Sequence, residues 1–298
     1  MSSRSFGCLV LLTVALGFLA PAWARNNQAV SFGVAPQYGT THVYVAPAEL
    51  DKFIASFIGT FGGQSTKQVQ ATLTPTQSKT STQLLQTPVG TVSLFGFSTP
   101  IPYPFGAERY GLLVTDIDAA VKAARANGAE LLVSIFPDPI GRDAIIQWPG
   151  GINMQLYWHA EKPSYTALKS VPENRIYISP DRADAFIRDF VKFSLGKVVL
   201  DDAHASGIEI GNTKETYRRV RIESAFGKLT VLVTNGQLPY PYGRELTGYE
   251  VQNLDDTLSK AKSTGADVLV EPYAADHRRG AVILFPGGYI VEVHELSK

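Results

Sequence analysis

Pro102-Tyr103-Pro104-Phe105-Gly106 and Pro239-Tyr240-Pro241-Tyr242-Gly243 are one phrase written twice, 137 positions apart. The same spacing relates Gly128-Ala129 to Gly265-Ala266, Arg142 to Arg279, and Pro149-Gly150-Gly151 to Pro286-Gly287-Gly288. Upstream the spacing becomes 133: Pro47 matches Pro180, Phe53-Ile54 matches Phe186-Ile187, and Phe57 matches Phe190. One loop longer by four residues reconciles the two values, so the chain reads as a tandem duplication. Proline fixes the backbone and glycine permits a sharp turn, which makes each repeated phrase a rigid linker between two parts of its copy. Its aromatic residues also suit a lid or a contact surface.

Each copy divides again. Asp118–Asn127 has helical periodicity, with Asp116 as its cap and Gly128 as its stop. Tyr110–Val114 precedes it as a strand, and Leu131–Ile135, Asp143–Trp148 and Asn153–Trp158 follow as three more, the last two joined at Pro149-Gly150-Gly151. The unit is therefore β-α-β-β-β, and Asp255–Thr264 with its flanks repeats it. The earlier halves fit the same plan. His42–Ala46 is a strand, Leu50–Gly59 a helix, Gln68–Gln86 exposed antiparallel strand and turn, and Thr91–Phe97 the last strand. Arg175–Ser179, Arg182–Phe193 and Leu229–Thr234 are their counterparts.

Working outward, residues 1–24 read as an export signal: Arg4, an apolar run from Cys8 to Ala20, and the small-x-small site Ala22-Trp23-Ala24. The run is short for a membrane span and no second one follows. Removing 24 of the 298 residues leaves 274, twice the 137-residue spacing. The expected layout is a signal over 1–24, an extension over 25–40, a first domain over 41–160, a linker over 161–173 and a second domain over 174–298. The single cysteine, Cys8, falls inside the signal, so the exported chain has neither a thiolate nucleophile nor a zinc–cysteine site. Lys+Arg and Asp+Glu both total 27, which argues against a nucleic-acid partner, and 45% hydrophobic residues suffice for a real core. There is no G-x-S-x-G elbow, no phosphate loop and no H-E-x-x-H.

The segment Val114-Thr115-Asp116-Ile117-Asp118-Ala119-Ala120-Val121, followed by Asn127-Gly128-Ala129, Gly141-Arg142, Pro149-Gly150-Gly151 and Met154-Gln155-Leu156, resembles the glyoxalase/bleomycin-resistance/extradiol-dioxygenase superfamily, the vicinal oxygen chelate fold. The second copy carries the same signature from Val251 to Glu292-Val293. The resemblance implies an α+β protein of two tandem vicinal-oxygen-chelate domains, with four βαβββ units curling antiparallel sheets into open cups. Two copies in one chain would supply the pseudo-twofold contact as an intramolecular pseudo-dimer, in a monomer or a homodimer.

Family enzymes hold one divalent metal in such a cup, with His, Gln or Glu from the first and last strand of each unit. Carried across, those positions are His42, Ser93, Arg109 and Gln155 in the first copy, and Arg175, Thr230, Leu246 and Glu292 in the second. His42 and Gln155 are the candidate metal ligands, for Zn, Ni, Mn or Fe. Arg109 and Arg175 bring cations to places where a metal would sit. Arg175 could pair with Glu292 and replace the metal. Tyr44 and Tyr177, two residues beyond His42 and Arg175, share their faces and join Arg109, Arg175 and Glu292 as ligand-binding candidates. His159, His204, His277 and His294 read as loop or strand-end residues, and Arg142 and Arg279 as a repeated structural pair. The reading that follows is an exported protein, periplasmic or secreted, that binds a small molecule in a cup with no metal cofactor and no membrane contact after signal removal. The alternative is a metal-dependent glyoxalase-like lyase or isomerase in the first copy, with His42 and Gln155 as ligands.

Overall fold

The structure, a computed structural model, describes residues 31–297. The expected signal, and residues 25–30 of the extension, lie outside the described residues. The first copy runs β1 (Thr40–Tyr44), α1 (Leu50–Phe61), β2 (Gln64–Ser65), β3 (Val69–Ala71), β4 (Thr80–Thr87) and β5 (Gly90–Phe97), then β6 (Tyr110–Leu113), α2 (Ile117–Ala126), β7 (Glu130–Pro137), β8 (Gly141–Trp148) and β9 (Ile152–His159). The second runs β10 (Glu173–Ile178), α3 (Pro180–Ser194), β11 (Lys197–Ser206), β12 (Thr216–Ser224) and β13 (Gly227–Val233), then β14 (Leu246–Glu250), α4 (Leu254–Ser263), β15 (Asp267–Ala275), β16 (Arg278–Phe285) and β17 (Tyr289–Leu296).

Local chemistry explains the helix ends. Asp116 accepts a hydrogen bond from the Ala119 amide at 3.0 Å, and Asn253 does the same for Asp256 at 2.8 Å, so both second-unit helices start on a side-chain cap. Gly128 and Gly265, both at φ 90°, follow the C-caps of these helices in a conformation only glycine adopts freely.

Each copy makes one sheet. The first has the order β2-β4-β5-β1-β6-β9-β8-β7, with β3 also on β4; the second has β11-β12-β13-β10-β14-β17-β16-β15. The sheets are mixed where antiparallel sheets were expected. The helix crossover returns the chain, so the last strand of each unit lies beside the first in the same sense: β1 with β5, β6 with β9, β10 with β13 and β14 with β17. Each sheet is joined at its centre by the antiparallel pairs β1–β6 and β10–β14. Because side chains alternate, one face of each sheet turns into its cup and the other into the core.

The core does not respect the expected domain boundary. One buried cluster joins Tyr110, Ile117 and Trp148 of the first copy to Ile176, Phe186 and Phe190 of the second. The other joins Phe53, Phe57 and Val92 of the first to Tyr249, Leu258 and Phe285 of the second. Tyr110 Oη, buried in this seam, donates to the Leu246 carbonyl at 2.9 Å. The sheets therefore turn their backs on a shared interior and open their cups outward.

Candidate functional site

In the first copy, β1 delivers His42 and Tyr44, β5 delivers Ser93, and β9 delivers Gln155 to the wall of a single cavity of about 460 Å³. Most of the remaining wall is apolar or aromatic, with Leu84, Phe95, Phe97, Phe105 and Tyr157 among its residues. Tyr44 packs on Phe95 at 5.0 Å and His42 meets the same ring edge-on at 5.3 Å, so the polar groups are held by aromatic neighbours. A cavity of this size and lining has the dimensions of a small-molecule site.

Behind this wall stands Glu108, fully buried, which sequence reading passed over. It accepts a hydrogen bond from Tyr44 Oη and lies 3.3 Å from His42 Nδ1. Arg109, expected beside His42, is directed elsewhere. It lines a separate hollow of about 70 Å³ with Arg244, Glu245 and Tyr289, at the seam between the copies. Both residues precede β6, where strand alternation does not yet apply, so the long cation takes the partly exposed side and the glutamate goes inward. A signal was present: Glu108 and Glu245 are themselves 137 positions apart.

Two acids meet the cavity lower on β8 and at its rim. Burial, with the nearby Asp138 carboxylate adding, pushes the Asp143 carboxyl well above the usual range, while Gln155 pulls the other way. His159 is a lining residue too, and burial depresses its pKa. The one lysine on the wall, Lys67, is exposed.

The second cup is built from the same strands and is occupied by charged side chains, with a hollow of about 140 Å³ left beside Glu173, Thr230, Arg278 and His294. Arg175, 1% exposed, stands where His42 stands in the first copy. Its Nη2 lies 3.1 Å from Glu209, and its Nη1 lies 3.5 Å from Glu292 and 3.9 Å from Glu173. Arg219 pairs with Glu209 at 2.6 Å and Arg278 with Glu173 at 2.9 Å. Tyr217 donates to Glu209 at 2.5 Å. Three buried arginines are thus matched by three buried glutamates, the arrangement that makes buried charge tolerable. Burial raises the pKa of Glu209, but the guanidiniums of Arg175 and Arg219 outweigh it and hold the group at about 2. Tyr177 packs beside this plug, against the cluster of Tyr217 and Leu232, and Leu246 belongs to a separate apolar cluster.

The expected pairing of Arg175 with Glu292 is therefore one edge of a larger network. Glu209 and Arg219 enter it from elements that carry no family ligand position, and His294, expected at a strand end, lies buried within β17 with Nδ1 2.7 Å from Glu292.

The donor sets bear on metal binding. Among the described residues, the one group of three His, Cys, Asp or Glu with clustered ligand atoms is Glu173, Glu292 and His294, within 4.8 Å of one another. Two carboxylates and an imidazole suit Mn, Fe or Zn. Glu292 faces His294 through Oε2, and its other oxygen, Oε1, lies 3.5 Å from Arg175 Nη1 and 4.0 Å from Arg278 Nη1, so a dication there would face two guanidiniums. The trio is thus a candidate metal site at which Arg175 and Arg278 would oppose the ion. In the first cup His42, Ser93 and Gln155 line the wall together with Asp143, and Glu108 is engaged behind His42.

No protein-family model matches the chain, and no curated protein is similar to it in sequence. Solved structures do match in shape. A variant of 4-hydroxymandelate synthase from Streptomyces coelicolor superposes with a TM-score of 0.57 at 11% identity, over 87% of this chain and 91% of that one. The Mn(II)-bound glyoxalase from Novosphingobium aromaticivorans gives 0.53 at 14% identity, over 89% and 83%. A catechol 2,3-dioxygenase gives 0.53 at 13%, over 90% of each chain. These likenesses establish the vicinal oxygen chelate fold across both copies, and at such identities they establish the fold alone.

Proposed function

We propose that this is an exported binding protein that takes one small, largely apolar molecule in the cup of its first copy, without a catalytic metal, and uses the second cup as a sealed structural counterpart. The observation that carries the reading is the contrast between the cups: an aromatic-walled cavity of about 460 Å³ in one, and in the same place in the other an ion network centred on Arg175. An apolar cavity with a few convergent polar groups gains from burying a ligand's apolar surface. A cup occupied by six paired charges offers no such gain.

The test is titration with the neutral, environment-sensitive dye N-phenyl-1-naphthylamine. One dye per chain is expected, with binding abolished in Ser93→Trp, whose indole enters the first cup, and preserved in Thr230→Phe at the matching place in the second. Dye binding that ignores Ser93→Trp would sink the reading.

The Glu173–Glu292–His294 trio favours a second reading, one divalent ion in the second cup. Elemental mass spectrometry on chain purified without chelator or His tag decides it. About one equivalent of Mn, Fe, Ni or Zn that disappears in Glu292→Gln would replace the metal-free reading.

A further inference from the structure

Asp143 stands on β8 opposite Tyr157 of β9. Alternation along β8 sends Ala144, Ile146 and Trp148 into the shared core and leaves Asp143 and Ile145 to the cup. The strand thus carries a carboxyl, 6% exposed, into a wall that is otherwise mostly apolar. Its oxygens are not among the enclosed polar atoms that lack a partner, and the residue lines the cavity beside Gln155 and Tyr157.

Six carboxyl groups are buried among the described residues: Glu108, Asp143, Glu173, Asp189, Glu209 and Glu292. Five of them have a basic side chain within 3.5 Å: His42 for Glu108, Arg278 for Glu173, Arg188 for Asp189, Arg219 for Glu209 and Arg175 for Glu292. Asp143 has none. The charge beside it is a second acid, Asp138, and Gln155 offers only a neutral amide. The neighbouring hydroxyls are committed elsewhere, Tyr157 Oη to the Tyr38 carbonyl and Tyr44 Oη to Glu108. A carboxylate buried in this way is costly unless a cation completes it.

The second copy has no such vacancy. Gly280 stands at the place of Asp143 and Ala275 at that of Asp138, 137 positions on, and the buried acids of that cup meet arginines of the same chain. Among the described residues no arginine lines the first cavity, and its one lysine is exposed.

We infer that the first cup takes an organic cation, a primary ammonium on an aromatic or alicyclic frame, with the ammonium on the Asp143 carboxyl and the frame among Phe95, Phe97 and Phe105. The ligand then supplies the charge that arginines supply in the second cup. An ammonium has only donors to offer, and the carboxylate is an acceptor. Aromatic faces attract a cation as well, and Tyr157 presents one opposite Asp143. A carboxylate on the ligand would instead add a third negative group to Asp138 and Asp143. The inference rests on the first cup being a ligand site.

Three probes of one shape test it: 4-phenylbenzylamine, 4-phenylbenzyl alcohol and biphenyl-4-carboxylate, each titrated by calorimetry into the full chain from residue 25 at pH 7. The amine, a cation at that pH, should bind about tenfold tighter than the alcohol, and the carboxylate weakest. In Asp143→Asn, which keeps the shape and removes the charge, the amine should fall to the affinity of the alcohol. Asp143→Ser removes the charge too and serves if Asp143→Asn does not fold. Ser93→Trp should abolish binding of amine and alcohol alike. Equal binding of amine and alcohol to the native chain, a preference that survives loss of the Asp143 charge, or tightest binding by the carboxylate overturns the ammonium inference while leaving the cup as a ligand site. Failure of all three probes to bind, or binding that ignores Ser93→Trp, overturns the cup reading as well.

Discussion

At position 175 a guanidinium lies within 3.9 Å of three glutamates and within reach of no bulk water. Replacing it with an apolar side chain, Arg175→Met, leaves Glu209 and Glu292 short of a partner and should destabilise the fold by about 3–5 kcal/mol, read from chemical denaturation. The network also sets the acid limb of stability. The folded pKa of Glu209 is about 2, below its ordinary 4.5, so its contribution is complete above pH 4.5 and is lost as pH falls toward 2. The loss amounts to on the order of 3 kcal/mol, and Glu209→Gln should flatten the stability curve across that interval. Asp143 works in the opposite sense. Its folded pKa lies above the ordinary 3.8, so the group costs stability increasingly as pH rises past that value. Asp143→Asn should therefore be more stable than the native chain at pH 7 and indistinguishable from it near pH 3; a constant difference across that range would contradict the assignment. Sequence made the cup-facing set partly legible at this scale. His42, Tyr44, Ser93 and Gln155 converge because strand alternation is strict inside β1, β5 and β9. Arg109 and Glu108 exchange roles because they stand just before β6, where alternation gives no instruction. Glu209 and Arg219 were out of reach, since they come from the Gly207–Ile210 turn and from β12, brought over Arg175 only by the closure of the sheet.

Two helices from different copies meet tightly enough to measure. Thr264, just past α4, donates through its hydroxyl to the Ser56 carbonyl on α1 at 3.2 Å, and its Oγ1 lies 3.3 Å from that of Thr60. A Cβ on Gly59 would stand 2.6 Å from Thr264 Cγ2. In an open helix Gly→Ala gains stability; here Gly59→Ala should cost about 1–3 kcal/mol, because the new methyl meets one already in place. Thr264→Ser removes that methyl. The double variant should therefore recover most of the loss, a positive coupling that a thermal melt of all four proteins would show; strict additivity would place the helices further apart than described. Two residues before Gly59, Phe57 is fully buried between the copies, and Phe57→Ala should cost about 3–5 kcal/mol. Helix positions were legible because period and caps are local: Asp116 and Gly128 frame α2 as the sequence indicates. The sense of strand pairing was not. Alternation is the same for parallel and antiparallel neighbours, so β1 beside β5 had to wait for the fold.

Each copy, taken as a whole, is only half of two cores. The helix and inner strands of its first unit complete the second unit of the other copy, and the exchange is reciprocal. The duplication in the sequence announces two similar sheets, yet the sequence boundary at 161–173 is not a boundary between interiors. Periodicity reports which face of an element is apolar, and it is silent on which other element will cover it. Residues 31–160 alone would leave Phe53 and Phe57 on one side and Trp148 on the other without their partners, a large apolar face on an isolated sheet. The expectation is that this half, expressed alone, either aggregates or associates with a second copy of itself through the vacated seam, whereas 31–160 and 161–298 produced together assemble one to one and regain the unfolding midpoint of the intact chain. Sedimentation equilibrium separates the outcomes. A monomeric 31–160 with its own cooperative unfolding transition would mean that each copy owns its core. If the halves do depend on each other, the sealed second cup has a function without a ligand: its paired charges keep that sheet closed, and the sheet in turn backs the strands that present His42 and Gln155 to the open one.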